Sequence, residues 1–191
     1  DVTTFKTFEE FYNAWYEQFK AIFKVAVTIE NKNRYVKAHF HPRPMTSALF
    51  ERCIETGENA DLCKERSSLW FTQFCFGEIG DCLAGVKKLV YEDKKYTMGE
   101  LRDALQANWD GYEEMRQAFV RAPKWGNDDD YVDQMWVRVH EDAAKVSWAH
   151  RDICGQPWPI LPEGVALNVL QAPKIGSLPN GRRLGDPLYD G

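Results

Sequence analysis

The stretch Ala122-Pro123-Lys124-Trp125-Gly126-Asn127-Asp128-Asp129-Asp130-Tyr131-Val132-Asp133 holds a helix stop, a turn and a helix start within twelve residues. Pro123 ends any helix arriving from upstream, because proline lacks the N–H a helix interior needs. Asn127 can cap the next helix, with Asp128, Asp129 and Asp130 in its first turn. Negative charge is favoured there by the helix dipole. A calcium loop would need alternating oxygen ligands, a glycine and a later bidentate glutamate. That spacing is absent, so capping is the better account of the aspartates. The helix is expected to run to about His150.

Upstream, Thr97-Met98-Gly99-Glu100 reads as a capping box. It opens a helix with Leu101, Leu105, Trp109, Tyr112, Met115 and Phe119 on one stripe, weakened at Gly111 and ended at Pro123. Residues 81–91 read as a short helix, and 69–76 as a buried strand. Residues 47–55 form a further short helix ended by Gly57. At the start, Thr7 to Glu10 is another capping box. It is followed by Phe11, Trp15, Phe19, Ile22, Phe23 and Ala26 at helical spacing. This predicts a long helix from about Phe8 towards Phe40, stopped by His41-Pro42-Arg43-Pro44.

Downstream, Pro157 and Pro159 frame an apolar run over 160–170 that reads as a second buried strand. Residues 176–191 read as loop. Asn180-Gly181 marks a tight turn. Arg182-Arg183 replaces the Lys-Ser or Lys-Thr of a phosphate loop, so these arginines are expected to tie down neighbouring chain. Helices separated by a few strongly apolar strands suggest an α/β or barrel arrangement whose other strands lie elsewhere. Residues 1–191 read as one partial domain without internal repeats.

Composition narrows the function classes. Hydrophobic residues make up 44% of the 191, so the chain is not of the disordered class. A balance of 24 basic and 29 acidic residues argues against nucleic acid as the main partner. No apolar run is long enough to span a bilayer, and no leader opens the chain. A cytoplasmic protein is expected. The five cysteines show no zinc or redox spacing and read as buried thiols. His39 and His41 lack an obvious third ligand, so no metal is expected. The chain opens at Asp1 without Met and stops after Asp190-Gly191, as expected of a cut piece.

Two places suggest chemistry. Alternation puts Trp70, Thr72, Phe74 and Phe76 on one strand face, as core or as a pocket wall. Glu163 interrupts an apolar run that includes Val165 and Leu167. Facing an apolar pocket, its pKa would rise and it would serve as acid or base. On an outward bulge it would be solvated.

Four blocks, in order, resemble the pyruvate formate-lyase-like glycyl radical enzymes. The segment 122–133 is similar to their "APKxGNDDxYxD" signature. Leu178-Pro179-Asn180-Gly181-Arg182-Arg183-Leu184-Gly185-Asp186-Pro187-Leu188-Tyr189-Asp190-Gly191 resembles their "TPDGRRxGxPLxDG". Asp81-Cys82-Leu83-Ala84-Gly85-Val86-Lys87-Lys88-Leu89-Val90 looks like "DSLAAIKKLV", and Asn108-Trp109-Asp110-Gly111-Tyr112-Glu113 like "ANWxGYE". The resemblance implies a partial, mostly helical piece of a ten-stranded α/β barrel. It implies a backbone glycyl radical installed by a radical SAM activating enzyme, with no other bound cofactor. It further implies a thiyl that abstracts hydrogen from a small substrate. The family's Gly-Cys-x-Glu and radical-glycine motifs do not occur here, which puts this segment between them and makes the rest of the chain a partner. A homo-oligomer is expected at full length.

By the same resemblance, Trp70, Phe74, Glu163, Val165 and Leu167 would line the substrate cavity, with Glu163 a candidate proton-transfer group. Radical elimination, decarboxylation or carbon–carbon cleavage is the leading expectation. Arylsuccinate synthase-like addition to fumarate is an alternative, weakened by the carboxylate at Glu163. A non-catalytic helical interaction module is another. Alone, the piece is expected to aggregate or to fold poorly.

Overall fold

A computed structural model describes residues 1–63, 71–73, 76–162 and 167–189. The elements in order are α1 (Phe8–Phe40), α2 (Pro44–Ser47), α3 (Glu51–Thr56), β1 (Phe71–Gln73) and α4 (Phe76–Val86). A π-helical stretch, Lys87–Glu92, continues α4. There follow α5 (Met98–Gln106), α6 (Glu113–Arg121), α7 (Asp130–Ala149), β2 (Ile160–Pro162) and α8 (Asn168–Gln171). β1 and β2 pair as a minimal sheet. The described chain is therefore mostly helical, and of the two expected strands only three residues each are described as such.

The chain divides into two compact units. One comprises Asp1–Tyr16, Thr72–Glu141 and Pro162–Gly191, and the other Glu17–Phe71 and Asp142–Leu161. In the first unit, the amphipathic faces of α4, α5 and α6 meet. Val86, Leu89, Leu101, Trp109, Met115 and Phe119 form their common core. A second cluster joins Phe8 and Tyr12 of α1 to Leu83 of α4 and to Val132, Met135 and Val139 of α7. Arg138 lies over the Tyr12 ring at 3.7 Å and makes a bidentate bridge to Glu9 at 2.6 and 2.8 Å.

The second unit is held by buried charge. Arg34 Nη1 pairs with Asp152 Oδ2 at 2.5 Å, and Arg34 Nε donates to the Asp61 carbonyl. The Asp61 carboxylate receives Arg43. Ser147 donates to the Trp158 carbonyl at 2.5 Å, and Trp158 meets Phe23 edge-on. Removing one partner of such a buried pair strands the other charge, which is why these residues act as tethers.

Several boundaries depart from the sequence reading. Thr7 caps α1 as expected, but Glu10 reaches back to the Lys6 N–H at 2.7 Å, one residue beyond the Thr7 N–H. The helix expected over 47–55 begins later, as α3 from Glu51, with the separate α2 ending at Ser47, and Gly57 closes α3 at φ 70°. The capping box of Thr97 and Glu100 forms as read. The stripe from Leu101 to Phe119 is not one helix. Asn108, Trp109 and Gly111 take positive φ (52°, 66° and 83°) and separate α5 from α6. This turn still buries Trp109, so the apolar period runs on through it. The helix cap of α7 is Asp129, whose Oδ1 accepts from the Tyr131 N–H at 3.0 Å, and not Asn127. Of the apolar run 160–170, Ile160–Pro162 is strand as expected, but Asn168 to Leu170 belongs to the helix α8, where Val169 and Leu170 are exposed.

Candidate functional site

Of the residues expected to line a substrate cavity, Trp70, Phe74, Glu163 and Val165 lie outside the described residues. Leu167 is half-buried at the entry to α8, where its carbonyl accepts from the Gln171 N–H at 2.9 Å. Among the described residues, the densest grouping of perturbed ionisable side chains lies in the first unit, on α4.

Glu78, Asp81, Cys82 and Gly85 recur at helical spacing and form one face of α4. Gly85 lets the 178–181 turn come close. A Cβ there would lie 3.0 Å from the Pro179 carbonyl oxygen and 3.2 Å from the Phe119 ring. Asn180-Gly181 closes that turn, with the Gly181 N–H donating to the Leu178 carbonyl at 3.1 Å and the Leu178 N–H to the Arg182 carbonyl at 3.0 Å. Arg182 then folds into its own loop. Its guanidinium donates to the carbonyls of Ala172, Ile175, Gly176 and Asp186 at 2.8–3.0 Å. Its own carbonyl accepts from Trp109 Nε1 at 3.0 Å. Arg183 ties the loop to the α5–α6 turn through the Asn108 carbonyl, Asp110 and Glu113. Both arginines thus bind neighbouring chain, as expected.

The loop delivers Tyr189 to α4. Its hydroxyl donates to Asp81 Oδ2 at 2.9 Å, and the Trp125 N–H donates to Asp81 Oδ1 at 2.8 Å. Three of the quoted motif blocks therefore meet at one fully buried carboxylate. Burial raises the Asp81 pKa, opposed by these two donors and by Lys124. Burial, and then Asp81, push the Tyr189 phenol well above its ordinary range. Lys124 is lowered by burial and donates to the Phe119 and Ala122 carbonyls. Glu78, 3% exposed, is pushed up to about 7. Burial is the main cause there, opposed by Arg182 and by hydrogen bonds from the Asn180 side chain and the Tyr189 backbone. The Cys82 thiol is raised well above the usual thiol range by burial, then by Glu78 and Asp81. A thiol so placed is a poor nucleophile.

Beside Glu78 and Cys82 opens a cavity of about 380 Å³. Phe11 and Trp15 of α1, Ile79 and Leu83 of α4, and Leu178 and Leu188 of the loop form apolar walls. Sequence reasoning missed Glu78. In the first turn of an apolar helix it looks like an ordinary dipole-pairing residue. Among the described residues, no group of three or more His, Cys, Asp or Glu could hold a metal ion. No described helix is long and apolar enough to cross a membrane.

A sequence profile of the pyruvate formate lyase-like family matches residues 1–161. The chain belongs to the pyruvate formate lyase-like family. A pyruvate formate lyase-like relative, the isethionate sulfite-lyase of Nitratidesulfovibrio vulgaris, is 32% identical over 203 residues, covering all of this chain and 23% of that protein. The crystal structure of hydroxyproline dehydratase from Clostridioides difficile with substrate bound superposes with a TM-score of 0.93 at 26% identity. It covers 100% of this chain and 24% of that one. A glycyl radical enzyme from Archaeoglobus fulgidus superposes with a TM-score of 0.87 at 27% identity, over 97% of this chain and 24% of that one. The chain spans about a quarter of the length of these pyruvate formate lyase-like relatives.

Proposed function

We propose that the full-length protein carrying this chain is a glycyl radical lyase that eliminates a small leaving group from a small substrate. The observation that carries this reading is the likeness along the whole chain to a sulfite-lyase and a dehydratase. Both names denote elimination. In such a reaction a hydrogen atom is removed from one carbon, which weakens the bond to the leaving group on its neighbour. The group departs, and the hydrogen atom is returned to the product radical. The protein must supply or accept a proton as the group leaves.

This segment would form part of the cavity wall in a barrel that the remaining chain completes. Trp70 and Phe74 would supply aromatic surface, Val165 and Leu167 apolar surface, and Glu163 the proton-transfer group. An apolar surround would hold Glu163 protonated near neutral pH. The radical would be installed on the full-length chain by an activating enzyme, before substrate is bound.

Product analysis tests this. The activated full-length protein is incubated anaerobically with small hydroxy and hydroxysulfonate substrates, and carbonyl product and released water or sulfite are followed. Glu163→Gln should lower kcat by about 100-fold or more, in the range for loss of a general acid or base. Full turnover by that variant would remove Glu163 from the mechanism.

A further inference from the structure

Leu167 leads into α8, a helix with little to hold it in place by itself. It is four residues long, has no side-chain cap at its start, and leaves Val169 and Leu170 exposed. One helical turn makes too few hydrogen bonds to offset its own ordering. Both ends are held from outside instead. Just past the C-terminal end, the Ala172 carbonyl accepts from Arg182 Nη2 at 2.9 Å. At the start, the Asn168 carbonyl accepts from the Leu188 N–H at 3.3 Å. Leu188 is buried, and α4 grips the next residue, Tyr189, at two points. The Tyr189 hydroxyl donates to Asp81 Oδ2 at 2.9 Å, and its backbone N–H donates to the Glu78 side chain. A continuous line of bonds thus runs from the buried Asp81 carboxylate through Tyr189, Leu188 and Asn168 to Leu167.

We propose that Asp81 and Tyr189 are positioning residues that set substrate size, by fixing where Leu167 stands in the cavity wall. The proposal deepens the elimination reading and rests on it, since Leu167 is a wall residue only under that reading. Both residues act through the chain they fix and not by contact with substrate. A wall side chain held in one place rejects a substrate that is one carbon too long. A wall side chain free to shift gives way to it. An apolar pocket discriminates by one methylene about 10- to 200-fold, so a loosened wall has a measurable ratio to lose.

Substrate discrimination by the activated full-length protein tests this. The probes are two- and three-carbon 2-hydroxysulfonates and two- and three-carbon vicinal diols, and kcat/KM is measured for each member of a pair. Tyr189→Phe removes the hydroxyl alone, and Asp81→Asn keeps the shape of the side chain without its charge. The ratio of kcat/KM within a pair does not depend on how much protein is folded or activated, so a merely structural loss leaves it unmoved. The expected result is a short-over-long ratio lowered about tenfold in both variants. The wild-type ratio in an active variant would overturn the proposal. Hydrogen exchange over residues 167–172 is read on the same proteins without substrate, and should be faster in both variants. Unchanged exchange there would overturn the proposal even where both variants are inactive. A wild-type protein that carries the radical but turns over no probe sinks the elimination reading and the role built on it. Wild-type turnover with unmoved ratios in the variants sinks the positioning role alone.

Discussion

At the scale of single residues, burial decides the chemistry more than sequence neighbours do. Glu78 and Asp81 sit one helical turn apart, both buried, yet they differ in partners. Asp81 has two donors within 2.9 Å, whereas one oxygen of Glu78 has none among the described residues. The folded Glu78 carboxyl keeps its proton up to about pH 7, while the unfolded one releases it near 4.5. Its contribution to stability is therefore fully present below about pH 4.5 and is lost as pH rises to about 7. Across that window the loss is at most about 3 kcal/mol. In dilute solution, the 191-residue chain should unfold at lower denaturant at pH 7.5 than at pH 5, and Glu78→Gln should flatten that slope. An unchanged slope in the variant would mean that other groups carry the dependence.

At the scale of elements, close approach between the 178–181 turn and its neighbouring helices fixes two glycines. Gly181 has φ 93°, and a Cβ there would lie 2.3 Å from a Val120 methyl and 3.2 Å from the Arg116 carbonyl of α6. Gly181→Ala should cost about 2 kcal/mol or more, from left-handed backbone strain plus the clash. Adding Val120→Ala should recover part of this, leaving the backbone strain, when denaturation midpoints of the full-length protein are compared. Strict additivity of the two losses would show that the contact is not made.

The sequence carried α1, its proline stop and the capping box of α5, because caps and prolines act locally. It carried the Asn180-Gly181 turn for the same reason. It did not carry the break at 107–112, because Trp109 is buried from a turn just as it would be from a helix. The π-helical stretch over Lys87–Glu92 left no mark in an apolar period that tolerates either winding. The 160–170 run was apolar enough for a strand, but its last three residues are helical in α8 with Leu170 outward. As to the site, Asp81, Trp125 and Tyr189 stood in the quoted motifs, but only the fold brings them to one carboxylate. Glu78 carried no signal beyond its helix position. Trp70, Phe74, Glu163 and Val165 lie outside the described residues.

At the scale of the whole molecule, the described surface keeps apolar faces that a self-sufficient protein would cover. Ile22, Val25 and Ile29 form one exposed stripe on α1 at 69%, 58% and 54% exposure. The 191-residue chain alone should self-associate at micromolar concentration, and Ile22→Lys with Ile29→Lys should shift it towards monomer, as read by sedimentation velocity. A wild-type monomer at high concentration would contradict this.

The most direct test of the central claim is electron paramagnetic resonance of the full-length protein after anaerobic activation by a radical SAM activase. The account predicts a stable organic radical centred on a glycine outside residues 1–191. A full-length protein that folds and binds the activase but gives no radical would contradict it.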